Sequence, residues 1–289
     1  MTVVQCVQMG KDLGLDEHYA DHQAGNPCDS SPLECQLKTR IWQTMYVCEV
    51  MIGTSQGEHP LLSPDDRQRL TRTGRTDLGV DNDSVDLRIP KPIPGGDESE
   101  YLTSRNFTYF ARIVHNIGRM SRVYARIKKK KEWGIDPSFM QLNPSFNTWI
   151  SDLPPDMAIS YPPDGSAPWL ASPFIGNVHS YFHLSLILLH RPQLTFLDPN
   201  AADGQWKHHM MICYQSAKAI CRLQEAVLNS FSPTGLQSMQ RGFSYSVYCG
   251  LSCIVLHLVS CSPPCHKTCS THDSNRSFHR WRSSRRIRS

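Results

Sequence analysis

Residues 178–189, VHSYFHLSLILL, decide the fold. Apolar side chains fall on nearly every side of a helical wheel here, interrupted only by Ser180, Ser185 and two histidines. A helix that is apolar all round belongs in the middle of a bundle, not on its surface. Working outward, other segments repeat apolar residues every three or four positions, the spacing of one helical face. Leu37, Ile41, Met45, Cys48 and Ile52 form one such stripe. Phe107, Phe110, Val114, Ile117, Tyr124 and Ile127 form a second, and Met210, Cys213, Tyr214, Ala217, Ile220, Cys221 and Leu228 a third. Residues 242–259 read as another buried helix. No segment alternates as a strand would, so the sequence predicts an all-α, multi-helix bundle.

Breakers agree with this reading. Gly53 and Gly57 are expected to close the helix begun near Leu37, and Pro154 and Pro155 to stop the one carrying Trp149. Residues 64–100, rich in Asp, Arg, Gly and Pro, read as a long surface connection, giving a loop over about 56–100. After Val259 helical periodicity stops and a Ser, Arg, Cys and His bias takes over. The expected organisation is a helical domain over 1–260 and a disordered basic tail over 261–289.

Composition narrows the class. The net charge of +4 is too small to argue for nucleic acid, and six arginines lie within the last fourteen residues. The longest apolar run, residues 250–259, is well below the roughly 20 residues of a membrane span. The N-terminus has no basic region before an apolar core, and Cys6, Cys48, Cys213, Cys221, Cys249 and Cys253 sit in apolar helical patterns as small hydrophobes. These features point to a soluble protein in a reducing interior.

Short signatures are spread over more than two hundred residues. They are ECQLKTRIWQTMYVCEVMIGTSQG (34–57), WISDLPP (149–155), YFHLSLILLHRP (181–192) and CYQSA (213–217), preceded by MGKDLGL (9–15). In this order the set resembles the middle homology region of fungal binuclear zinc-cluster transcription factors, the fungal-specific or xylanolytic-activator-type regulatory domain. Glu34, Arg40 and Trp42 match the opening of one signature helix. Trp149, Leu153 and Pro154 match the link before the central helix, and Tyr181, His190, Arg191 and Pro192 match that helix and its end. One departure is Gly57-Glu58-His59-Pro60, where Gly-Arg-Pro is usual.

The resemblance implies a regulatory domain that answers a metabolic signal or a partner contact and controls RNA polymerase II transcription in the nucleus. Its partners would be an effector or co-regulator protein and a second copy in a homodimer. DNA and zinc would be bound only through a six-cysteine module that these residues do not contain, so no cofactor is expected in this chain. It also implies a domain incomplete at both ends, and that Arg191→Ala destabilises the fold. Matched positions of this kind mark a scaffold and no catalytic residues.

Other chemistries fit the residues less well. Cys261, Cys265, Cys269 and His272 offer four zinc-capable groups, but their spacing and two intervening prolines read as a cysteine-rich tail. His179 and His183 lie one turn apart, with Ser180 where a metalloprotease helix needs Glu, so hydrogen-bonded helix histidines are expected. Gly53-Thr54-Ser55-Gln56-Gly57 matches G-x-S-x-G only on paper, because a helix precedes it where a nucleophile elbow needs a strand. Lys128 to Lys131 read as a solvated helix end. Two alternatives stay open: an all-helical enzyme or small-molecule-binding protein with a pocket lined by His179, His183 and His190, and a non-functional truncated product.

Overall fold

A computed structural model of the chain describes residues 3–56, 79–126, 136–195 and 197–237, with residue 254. Among them there are helices and turns and no strand, as the periodicity predicts. The helices are α1 Val3–Asp12, α2 Glu17–Ala24, α3 Pro32–Gln56, α4 Glu98–Arg126, α5 Pro137–Met140, α6 Leu142–Ser151, α7 Pro173–His190 and α8 Gln205–Gln237. Single 3-10 turns span Asn82–Ser84 and Arg191–Thr195.

The apolar segment at 178–189 is the middle of α7, where Val178, Leu184, Ile187 and Leu189 are almost wholly excluded from solvent. Its start is fixed by Ser172, whose hydroxyl accepts from the Ile175 N–H, and by proline at the first helical position. One side of α7 lies along α8. The approach is close at Gly176, where a Cβ would stand 2.8 Å from both Leu170 Cδ1 and Val227 Cγ2. Another side meets α4 and α6 through rings: Phe110 packs edge-on to Tyr181 at 5.0 Å, and Trp149 stacks on Phe182 at 5.5 Å. Such offset and edge contacts add about 0.5–1.5 kcal/mol per pair beyond burial.

Helix α3 corrects two expectations. The stripe from Leu37 through Ile41 is not the buried face; both residues are exposed, and Trp42, Tyr46, Val47, Val50 and Met51 face the core instead. This helix carries apolar residues on two adjoining stripes, and the one with the larger aromatic area is buried. The helix also runs through Gly53 to Gln56; glycine is tolerated in a helix at about 1 kcal/mol relative to Ala when neighbours hold it. Cys221 is likewise exposed on α8 rather than packed as a hydrophobe. Elsewhere the breakers act as expected: α6 ends at Ser151 before Pro154, and α1 ends where Gly14 adopts φ +65. Helix α8 breaks at Ser232, with φ 59 and ψ 178, because Pro233 excludes helical backbone from the residue before it.

Between α3 and α4, residues 79–97 run over the surface of both helices and are tied down by buried polar groups. Gln43, 1% exposed, donates from Nε2 to the Asp86 carbonyl at 2.6 Å and to Thr108 Oγ1 at 3.3 Å. The Val80 N–H donates to Glu49 Oε2 at 2.7 Å, while burial raises the pKa of that carboxyl. The lysine run, Gly57, the basic tail and, but for residue 254, the expected helix at 242–259 lie outside the described residues.

Candidate functional site

The signature residues divide into a buried group and a surface group. Glu34 sits in the first turn of α3 and closes a reciprocal cap. Its Oε2 accepts from the Ser31 N–H at 2.7 Å, and its own N–H donates to Ser31 Oγ at 3.3 Å. Arg40 reaches across to α4 and donates from Nη1 to Glu100 Oε2 at 2.9 Å and to Ser104 Oγ at 3.3 Å. Trp42 is buried, and its Nε1–H donates to Ser84 Oγ at 3.0 Å. Trp149 donates to the Tyr109 carbonyl at 2.7 Å, and Leu153 packs at the core edge. The Pro154 carbonyl accepts from the Met157 N–H at 2.9 Å, forming the turn after α6. Tyr181 and His190 are buried in α7, and Pro192 is the second residue of the 3-10 turn that follows it.

Arg191 differs from the others. Its backbone N–H caps α7 on the Ile187 carbonyl, but its side chain is exposed. Truncating an exposed side chain ordinarily changes stability by no more than about 0.5 kcal/mol. Arg191→Ala should therefore shift a urea unfolding midpoint only slightly, against the expectation carried by the resemblance. A loss above about 2 kcal/mol would put Arg191 back in the scaffold.

The three candidate pocket histidines do not converge on one point. His179 pairs with the Met157 carbonyl at 2.8 Å, His183 with the Tyr161 hydroxyl at 3.1 Å, and His190 Nδ1 with His209 Nδ1 at 2.7 Å. Burial holds all three in the neutral form, with His183 at a pKa of about 3 and His190 at about 4. For His190 the neighbouring His209 and His208 lower it further. Ser55 lies on helix α3, with no strand before it.

A groove of about 530 Å³ opens elsewhere, among α2, α4, α6 and the segment after Asn82. Tyr19, Arg88, Tyr109, Arg112 and Trp149 line it. The Arg112 guanidinium lies 5.5 Å from the centre of the Tyr109 ring while its Nε–H donates to the Leu87 carbonyl at 2.8 Å. Arg88 lies over Tyr19 at 5.0 Å and pairs with Asp86 at 2.8 Å. The volume is within the range of small-molecule sites, and the lining is aromatic and cationic.

Next to the groove, four residues that the sequence reading passed over come together. The ligand-capable atoms of His18, His22, Cys28 and Cys35 all lie within 4.8 Å of one another. Cys28 Sγ and Cys35 Sγ are 3.6 Å apart, and Cys35 Sγ is 3.7 Å from His22 Nε2. Hydrogen bonds from Ser30 bring the Cys28 thiol down to a pKa of about 7. The signal in the sequence was the run of four such residues between positions 18 and 35, which a search for apolar periodicity does not register. No protein-family profile, curated protein or solved structure matches the chain.

Proposed function

We propose that this chain is a helical regulatory domain of a fungal zinc-cluster transcription factor, acting in the nucleus as a sensor and not as an enzyme. DNA recognition would belong to a separate six-cysteine module. The observation that carries the reading is the double position of Trp149. It is the tryptophan of the WISDLPP signature, it ties α6 to α4 and α7, and it also forms part of the groove wall. A small effector seated there would press directly on the junction of three helices. That is what a sensor needs: differential contact with two packings of one bundle. The dispersed, neutral histidines favour a structural role over a histidine-lined reaction centre.

The test is a reporter assay with the full chain placed between a heterologous DNA-binding domain and an activation segment. The chain should change reporter output several-fold relative to an unrelated helical domain of equal length. Thr148→Trp, which fills the groove, should abolish any response to cell extract or nutrient state. Output indistinguishable from the unrelated domain would overturn the proposal.

A further inference from the structure

We propose that His18, His22, Cys28 and Cys35 form a structural zinc site that clips α2 to the start of α3. This goes beyond the regulatory reading and does not depend on it. It also departs from the expectation that the chain itself holds no metal.

The donor set fits zinc. Two thiolates and two imidazoles form a closed four-ligand shell of the kind structural Zn²⁺ takes, and their charges leave the site neutral. With Zn–S near 2.3 Å and Zn–N near 2.0–2.1 Å, the ligand atoms of a tetrahedral site stand roughly 3.3–3.8 Å apart. The Cys28–Cys35 and Cys35–His22 separations, 3.6 and 3.7 Å, already match those edges. The remaining separations are no more than 4.8 Å, about 1 Å beyond those edges.

The backbone holds the ligands in place. His18 and His22 are one turn apart on α2 and so share a face. Gly25, at φ 74, ends α2 with its N–H on the His22 and Asp21 carbonyls. The Ser31–Glu34 cap starts α3 and places Cys35 in its first turn. Cys28 lies in the short loop between these two fixed ends, where Lys38 Nζ also donates to Ser30 Oγ at 2.7 Å. The six residues between the cysteines exceed the usual two to four, and the loop folding back onto the first turn of α3 makes up the difference.

There is also something for the metal to do. Helix α2 has eight residues and buries none of them, is held among the described residues by surface contacts such as Arg88 over Tyr19, and is too short to be more than marginal alone. A metal joining two of its side chains to two beyond its end supplies a further attachment. Binding would displace whatever protons the two thiols still hold.

The experiment adds Co²⁺ and then Zn²⁺ to the full chain, reduced and stripped with EDTA. One equivalent of Co²⁺ should produce tetrahedral ligand-field bands and thiolate-to-cobalt charge-transfer bands, both erased by one equivalent of Zn²⁺. Replacing Cys28 and Cys35 together by serine should remove the bands. Replacing Cys261, Cys265 and Cys269 by serine should leave them, which separates this site from the tail. The exposed His22 gives a variant that spares the core. His22→Gln should weaken Zn²⁺ by more than about 100-fold, beyond the loss typical of an outer partner, with its melting temperature in EDTA unchanged. No bands in the reduced chain, or bands that survive the Cys28 and Cys35 replacement, would overturn the assignment. So would a Cys28–Cys35 disulfide that persists under reducing conditions and excludes the metal.

Discussion

Trp149→Ala should lower the unfolding free energy by about 3–5 kcal/mol, the range for emptying a buried aromatic position. The indole is buried between α4 and α7, stacked on Phe182 at an interplanar angle of 17° and edge-on to His179. Its removal opens a cavity that packed neighbours can only partly fill, and it also removes the hydrogen bond to the Tyr109 carbonyl. Domains of this size have about 5–15 kcal/mol of stability in total, so one substitution would remove a large part of it. Trp149→Phe separates the two contributions. A ring remains to stack on Phe182 while the N–H donor is lost, so about 1 kcal/mol should go. Urea unfolding followed by far-ultraviolet circular dichroism measures both without relying on the deleted fluorophore. An alanine variant within 1 kcal/mol of the parent would show that this signature position is not part of the core.

The fold was legible where one signal dominates. In α7 the apolar residues surround the whole wheel, and the helix is buried on nearly all sides. In α4 the stripe through Phe107, Phe110, Val114 and Ile117 is the face that packs. In α3 two adjoining stripes competed, and periodicity could not say that Trp42 and Tyr46 would turn inward while Leu37 and Ile41 stayed outside. That choice is made by tertiary packing against α4 and by Gln43, whose amide finds a half-buried and a buried partner 43 and 65 residues away in the chain. The groove was not legible for a similar reason, because its walls come from four separate segments. The Cys/His quartet was legible as composition but not as geometry. Its assembly depends on a left-handed glycine at one end of a loop and a reciprocal cap at the other.

Lowering the pH from 7 to 5 should cost this protein stability through its buried histidines. His183 and His190 have folded pKa values of about 3 and about 4, below the ordinary 6.5, with burial the largest cause in each. Between those values and 6.5 the unfolded chain binds protons that the folded chain refuses. The stability they contribute is therefore full above about pH 6.5 and is lost as the pH falls toward the folded values. Each group loses about 1.4 kcal/mol per pH unit, so two groups lose about 4 kcal/mol by pH 5. Among the described residues no anion faces them to stabilise an imidazolium: His183 faces Tyr161 and His179, and His190 faces His209 and His208. Among the described residues the ring nitrogens His183 Nδ1 and His190 Nε2 are buried without a hydrogen-bond partner, so a proton there would go unsolvated. Glu49 acts in the opposite sense, since burial raises its pKa and favours the protonated folded form. Its contribution comes at lower pH, near and above the ordinary carboxyl range. Urea midpoints measured in EDTA at half-unit intervals isolate the buried histidines from any metal bound at Cys28 and Cys35. His183→Gln should reduce the slope of stability against pH by about one proton, and a slope equal to the parent's would mean that His183 takes up its proton in the folded state as readily as in the unfolded one.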